Sequence, residues 1–387
     1  MNNIVSENIR YIGCDDLDLD LFESQYIVPN GVSYNSYIIL DEKVAVIDTI
    51  DKRKSKEWMD NLLKELNGRT VDYLIVSHLE PDHSANIEAL CLKFPEAKIV
   101  LSKKASEMLP QFCKSDLSLR TILVSEGETL SLGSHTLKFF MAPMVHWPEV
   151  MVEYEMTEKI LFSADGFGSF GALSKESGWP DEARRYYINI VGKYGGPVQA
   201  LLKKAQTLDI DMICPLHGPI LKENLGYYID LYNKWSSYIP ESDGVLVVCA
   251  SIHGNTKDAA LELYNDLLNK KIDAEFIDIT RSDMAQAVAL AFKYNKMVLA
   301  CATYDGKVFS PMEDFLNRLS AKSYQKRRVG LIENGSWAPM AAKLMRGTLE
   351  TMKDISVIDT VVTIKTTLND ATRQVLHQLE EILLEKR

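Results

Sequence analysis

Hydrophobic and polar positions alternate in two different rhythms along this chain, and the change of rhythm falls around Pro240-Glu241-Ser242-Asp243-Gly244. Before it, short apolar runs of strand type are mixed irregularly with amphipathic segments. Tyr37 to Leu40 and Val44 to Asp48 flank Asp41-Glu42-Lys43 and predict a β-hairpin. A helix with charged faces is expected over Lys54 to Leu66, then a strand over Tyr73 to Ser77, a helix from Asn86, a strand over Lys98 to Leu101 and a helix from Lys103. Strand-like runs follow at Thr121 to Val124, His135 to Ala142, Val150 to Tyr154 and Lys159 to Ser163. After the change the beat is regular. Strands at Val245 to Ala250, Ala274 to Ile277, Met297 to Ala300, Arg328 to Ile332 and Val357 to Val362 alternate with helices near Thr256 to Asn269, Met284 to Phe292, Met312 to Leu319, Pro339 to Thr351 and onward from Leu368. Five strand–helix units predict a doubly wound parallel sheet, whose ligand belongs at the carboxyl ends of its strands.

The polar residues that interrupt the first rhythm carry candidate chemistry. Directly after the run Tyr73-Leu74-Ile75-Val76 come His78, Glu80, Asp82 and His83, two imidazoles and two carboxylates on one short loop with Pro81 limiting its conformations. Loops at strand ends are where sites are built, and His, Asp and Glu clusters are the raw material of metal sites. The plainer reading of such a cluster is a turn and a helix cap, with Asp82 capping a helix that begins near His83. Further along, His146 follows Leu137 to Ala142, Asp165 follows Ile160 to Ser163, and His217 follows Met212 to Pro215. The chain has only seven histidines and four belong to this recurrence, which favours a shared site; His135, His253 and His377 lack such company.

In the second rhythm the loop Ser251-Ile252-His253-Gly254-Asn255-Thr256 lies between the first strand and its helix. Hydroxyl, glycine and amide residues at a helix start present N–H groups to a phosphate, and the helix dipole adds to this; Ser, Asn and Thr are equally ordinary N-caps. Thr303-Tyr304-Asp305-Gly306 follows the third strand and Glu333-Asn334-Gly335-Ser336-Trp337 the fourth. Tyr304 and Trp337 either border an aromatic ligand or shield loop ends.

Composition narrows the remaining classes. A chain of 387 residues exceeds what one core usually serves, and 46% apolar content supports complete folding. A net charge of −11 argues against a nucleic-acid surface, and no basic tract offers itself to anionic lipid. The six cysteines are scattered with no Cys-x-x-Cys pair, which excludes rubredoxin-type and zinc-ribbon sites in these residues and suits a reducing compartment. Glu7, Asp15 and Asp16 are too early for a signal peptide and no apolar run approaches membrane length, so a cytoplasmic location is expected.

His78-x-Glu80-x-Asp82-His83 with His146, Asp165 and His217, the segment Ser163 to Leu173 and the run Arg184 to Ile190 together resemble the metallo-β-lactamase fold in the version carried by flavodiiron proteins. Glu80 is the distinguishing mark, because hydrolases of that fold usually have a second histidine there. A carboxylate in its place gives a harder ligand set that favours iron over zinc by ligand type. The resemblance spans nearly the whole chain. It implies a metallo-β-lactamase-like αββα sandwich over residues 1–242 and a flavodoxin-like five-stranded parallel domain over residues 243–387. It also implies two iron ions per chain, one held by His78, Glu80 and His146, the other by Asp82, His83 and His217, with Asp165 bridging; His83 is either a ligand or the neighbour of one. Ser251 to Thr256, Thr303 to Gly306 and Asn334 to Trp337 would hold FMN, although Ala302 stands where relatives often have proline. Tyr194 is a candidate to line the metal pocket as a proton or hydrogen-bond donor, against a simply packed tyrosine, and Phe167 and Phe170 either wall that pocket or fill core. The activity implied is reduction of dioxygen to water or of nitric oxide to nitrous oxide. Electrons would come from an external donor such as a rubredoxin-type protein or a flavin reductase, and the assembly would be a head-to-tail homodimer or a dimer of dimers. A zinc hydrolase and a flavin electron carrier with a structural metal domain are the rival readings.

Overall fold

A computed structural model describes residues 4–176 and 178–385. The chain forms two compact units, Met1–Tyr187 with Gly196–Asn233, and Ile188–Gly195 with Lys234–Arg387.

The first unit is built on two sheets. One has six strands in the order Ile9–Tyr11, Tyr37–Leu40, Val44–Ile47, Tyr73–Val76, Lys98–Ser102 and Thr121–Val124, antiparallel as far as Val44–Ile47 and parallel from there. The other has five, Thr129–Ser131, Thr136–Met141, Met151–Glu155, Ile160–Phe162 and Met212–Cys214, antiparallel except for the last pair. Alternate residues explain how they meet. Tyr37 and Ile39, Ala45 and Ile47, and Leu137 and Phe139 point into one shared core with Ile9, Ile75, Val100, Met151, Ile160, Phe162 and Cys214. The period-two pattern therefore makes a sandwich whose shared core is apolar, and the ligand-bearing loops leave from its strand ends.

Several elements escape the hydrophobic rhythm. The short strands Cys14–Asp16, Leu21–Phe22, Tyr26–Ile27 and Val32–Tyr34 are too brief to show a period, and the helices Trp179–Ile190, Gly195–Ala205 and Leu225–Ser236 are amphipathic stretches outside the expected elements. Asp82 does not cap a helix: Glu80 holds the N-cap position of Pro81–Ser84, Pro81 is at the first turn, and Asp82 lies within it. Proline's missing N–H suits that place, which leaves the Asp82 carboxylate unclaimed by the backbone.

In the second unit five parallel strands stand in the order Ala274–Asp278, Ser242–Ala250, Tyr294–Tyr304, Arg327–Asn334 and Ile355–Ile364, with Lys307–Val308 hairpinned onto the third in sequence. Val245, Val247, Cys249, Val298, Ala300 and Ile332 pack on one face with Ala259, Leu263, Leu376 and Leu379, and the alternate residues Leu246, Val248, Met297 and Leu299 are buried as well, so the sheet is apolar on both faces. The helix expected from Pro339 begins at Ala341, since the Met340 and Ala341 N–H groups both donate to Thr303 Oγ1, at 3.0 and 3.2 Å. Among the described residues no helix is long and apolar enough to cross a membrane.

His135 has company after all. Its imidazole is bracketed by Asp41 Oδ2 at 2.8 Å and Glu158 Oε1 at 3.1 Å, tying the hairpin turn of one sheet to the other sheet. Burial alone would lower its pKa, but the bonds to Glu158 and Asp41 outweigh this and raise it. A histidine with a raised folded pKa contributes stability that is complete below its unfolded value of about 6.5 and is lost as pH rises through the folded one. His135→Asn is therefore expected to lower the melting temperature more at pH 6 than at pH 9; an equal loss at both would exclude the charged pair.

Candidate metal centre and flavin-sized cleft

Each of the seven residues singled out as metal ligands lies just beyond a strand of the first unit, and their donor atoms form two facing groups. In the first, Glu80 Oε2 is 3.3 Å from His78 Nε2 and 3.0 Å from His146 Nε2, and Asp165 Oδ2 is 3.3 and 3.4 Å from the same two nitrogens. In the second, Asp82 Oδ2 is 3.5 Å from His83 Nε2 and 3.2 Å from His217 Nε2, while Asp165 Oδ1 is 3.3 and 3.6 Å from them. Asp165 thus aims one oxygen into each group. Bonds of about 2.0–2.2 Å meeting at near-octahedral or tetrahedral angles put neighbouring ligand atoms roughly 3.0–3.5 Å apart, which matches these separations.

The orphaned atoms point the same way. Both oxygens of Asp82 and of Asp165, both ring nitrogens of His83, and Nε2 of His146 and His217 are buried without a hydrogen-bond partner. Buried polar atoms left unpaired are costly, and a pair of cations between the two groups satisfies them together. Two divalent ions against the carboxylates of Glu80, Asp82 and Asp165 leave little net charge in the interior. Without them the carboxylates are compensated by protons held on the imidazoles. Burial pushes Glu80 up, but His146 and His78 outweigh it and hold it at about 2; His83 and His146, which burial would push down, are lifted to about 9 by the facing carboxylates.

The surrounding chain aims these side chains. Asp48, in the left-handed region at φ 52°, accepts from the Ser77 and His78 N–H groups at 2.9 and 3.3 Å. Burial raises its pKa to about 6. Thr49 Oγ1 donates to the His83 carbonyl at 2.6 Å, and Asn86 Nδ2 to that of Ile50 at 2.6 Å, so the 48–50 turn pins the 78–86 loop from below. On the opposite side, Asn35 Nδ2 donates to the carbonyls of Pro215 and Gly218, each at 2.8 Å, and His217 Nδ1–H donates to the Ser33 carbonyl at 2.8 Å. Gly218 takes φ 77° and a Cβ there would fall 2.2 Å from Ser169 Oγ, so no larger residue fits beside His217. Glu149 accepts from His78 Nδ1–H at 2.8 Å. Sequence reading missed Ser33, Asn35, Asp48 and Glu149, because a polar residue in a three-residue strand or on an irregular loop has no periodic signature.

Phe170 packs among Phe22, Tyr26 and Tyr186, and Phe167 stacks on Tyr232 at 4.2 Å. The half-buried Tyr194 sits in the short turn Gly192–Tyr194 with the Lys193 ammonium 5.9 Å from its ring centroid. Tyr186 was also missed: it is buried with its ring 5.5 Å from that of His217, and burial followed by the charges of Asp165 and Asp82 raises its phenol well above the usual range.

In the second unit a cavity of about 360 Å³ opens at the carboxyl ends of the parallel strands. Ser251, Ile252, His253, Asn255, Thr256, Thr303, Tyr304, Asp305, Gly306, Asn334, Gly335, Ser336 and Trp337 line it as expected, joined by Ala302, Ala338 and Thr366. Gly254 instead supplies the turn, at φ 99°, from which the helix Asn255–Asn269 starts, and its N–H donates to Ser251 Oγ at 3.1 Å. Thr366 closes the far wall through paired bonds with Asn334, at 2.9 and 3.0 Å. Tyr304 and Trp337 are 50% and 92% exposed, so both stand at the rim of the cleft with little protein to shield. One helix N-terminus and two flanking aromatics suit a planar ligand carrying a single phosphate.

A family model described as "ODP family beta lactamase" matches residues 32–218, the stretch that carries all seven of the candidate metal ligands. An uncharacterized protein of Methanocaldococcus jannaschii is 29% identical over 318 residues, covering 81% of this chain and 80% of that one. An anaerobic nitric oxide reductase flavorubredoxin of Vibrio vulnificus is 26% identical over 348 residues, covering 86% and 70%. Among solved structures, the rubredoxin oxygen:oxidoreductase of Desulfovibrio gigas superposes with a TM-score of 0.91 at 23% identity, covering 98% of this chain and 97% of that one. The flavodiiron protein of Giardia intestinalis gives 0.88 at 24%, covering 98% and 94%. Fold and site define a metallo-β-lactamase-like domain joined to a flavodoxin-like one. The fold is the one these solved structures share, that of the Desulfovibrio gigas oxidoreductase and the Giardia intestinalis flavodiiron protein.

The shared carboxylate generates an asymmetric expectation. Asp165→Ala removes an oxygen from both groups and should reduce metal bound at both positions, whereas Glu80→Ala should empty only the first. Elemental analysis of the two purified variants checks this, and equal losses would show that Asp165 is not shared.

Proposed function

We propose that this chain is a flavodiiron oxidoreductase in which residues 1–242 hold two iron ions and residues 243–387 hold FMN, reducing dioxygen to water or nitric oxide to nitrous oxide. The observation that carries this reading is the position of Asp165, whose two oxygens face two separate imidazole–carboxylate groups. Glu80 favours iron over the zinc of a hydrolase, because a carboxylate in place of an imidazole hardens the set. The cleft at the strand ends supports FMN rather than a dinucleotide: it offers one helix N-terminus, and the loop Ser251 to Thr256 that leads into that helix lacks the Gly-x-Gly-x-x-Gly turn.

When bound, the flavin and the irons supply electron storage and a place for a diatomic gas. The protein's own part is to hold, exclude and deliver. His78, Glu80 and His146 hold one ion, and Asp82, His83 and His217 the other. The packed ring of Phe22 stands edge-on to His217 at 5.3 Å, and with Phe170 and Tyr186 it walls that side of the centre with apolar surface. Both products need protons as well as electrons, and the buried Tyr186 phenol, beside His217 and facing the Asp165 charge, is a hydroxyl suited to that role, a role the sequence also suggests for Tyr194. Electrons enter from a separate donor of rubredoxin or flavin-reductase type. The assembly proposed is a head-to-tail homodimer, each flavin serving the metal centre of the partner, in the cytoplasm.

Protein from iron-replete cells should contain about two irons per chain and release FMN on denaturation. Zinc at both positions, or FAD as the main flavin, would sink the reading. Ser251→Glu should expel the flavin by setting a carboxylate where the phosphate would sit, leaving the metal content unchanged. Consumption rates of dioxygen and of nitric oxide with one common reductant then decide which gas is preferred, and loaded protein that consumes neither overturns the proposal.

A further inference from the structure

The loop between the strands Thr136–Met141 and Met151–Glu155 carries three residues that reach the metal centre, His146, Glu149 and Trp147, whose ring stands edge-on to that of His78 at 5.2 Å; only His146 offers a donor atom to a cation. His146 faces the first group directly. Three residues on, Glu149 is buried, and its Oε1 accepts from His78 Nδ1–H at 2.8 Å and from the Leu79 N–H at 3.0 Å. Its backbone carbonyl is anchored in turn by Ser102 Oγ at 2.8 Å, and the base of the loop is closed by the Ala142 N–H on the Val150 carbonyl at 2.8 Å.

The histidines are supported from behind in unequal ways. His217 Nδ1–H rests on a neutral backbone carbonyl, that of Ser33. His83 has both ring nitrogens buried with no hydrogen bond. His78 alone among these three is backed by a carboxylate. A carboxylate that accepts Nδ1–H fixes the tautomer, leaves Nε2 as the donor to the metal, and makes that nitrogen more basic.

We propose that Glu149 is the positioning residue of the first metal position, so that one loop supplies that position with a ligand, His146, and with the group that orients another, His78. The proposal rests on the reading of two bound cations. It makes the two positions unequal, since the second draws nothing from Glu149.

The test uses the full chain and ferrous ion as the probe, with chelator competition under anaerobic conditions. In a His217→Ala background, which spares the first position, Glu149→Met should weaken ferrous binding by about 10–100-fold, the usual effect of losing an outer-shell partner. Methionine keeps the length of the side chain but offers only a weak thioether acceptor to the His78 and Leu79 N–H groups. In a His146→Ala background, which spares the second position, the same substitution should leave binding unchanged. Glu149→Gln, whose amide oxygen still accepts from His78 and Leu79, should restore most of the affinity in the first background. A general packing role would instead weaken both backgrounds alike, and that result overturns the proposal, as does no loss in either. Should Glu149→Met fail to fold, Glu149→Gln against Glu149→Asp, which draws the acceptor back by one methylene, gives the same comparison, and equal affinities there overturn it. Wild-type chain that binds no ferrous ion would fail the two-cation reading itself, a result separate from any effect of Glu149.

Discussion

Three carboxylates and four imidazoles packed at one end of a sandwich with an apolar core are the constraint on which the first unit depends. Ionised groups taken out of water cost several kcal/mol each unless they are compensated, and the donors here are too close to share protons evenly. The separations of 3.0–3.6 Å between donor atoms are those of ligands around cations. Folding has therefore prepared an arrangement that is poor for the bare chain and good for the loaded one, and metal binding is coupled to stability in the usual way. The rigid inner faces of the two sheets make the arrangement possible. The loops that leave them are then fixed by hydrogen bonds from behind, through Asp48, Asn35, Ser33 and Glu149, rather than by contacts in front, where substrate must enter.

The second unit solves a different problem. Its sheet is apolar on both faces and ends abruptly in loops rich in hydroxyl, amide and glycine residues. A parallel sheet brings the ends of its first, third and fourth strands to one edge, and there the helix N-terminus at Gly254 and the wall formed by Asn334 and Thr366 frame one cleft. The exposure of Trp337 and Tyr304 at its rim is informative because large aromatics seldom stand in water without a partner to cover them. A planar ligand supplies such cover at the cleft itself.

Local chemistry made much of this legible in the residues alone. A ligand that follows an apolar run is visible as a polar residue where a strand stops, so His78, Glu80, Asp82, His83, His146, Asp165 and His217 could be picked out one by one. Likewise the regular strand–helix beat after Gly244 prescribes a parallel sheet, and a parallel sheet prescribes which loops share an edge. The division of the metal ligands into two groups came from the family resemblance, and the donor-atom separations agree with it.

Other features only the tertiary structure decided, because they depend on pairs distant in sequence. Glu149 meets His78 across 71 positions and Asn35 meets Pro215 across 180, and no window of the chain contains both partners. The start of the helix Ala341–Leu349 is set by the Thr303 hydroxyl, which overrode the proline signal two residues earlier. Tyr186 looked like one tyrosine in an amphipathic run until packing laid its ring beside His217. Residue type and strand-end position declare what a side chain can do, and they are written locally. Which group orients it, shields it or hands it a proton is a matter of distance in space, and that is settled only when the sheets close on their common core.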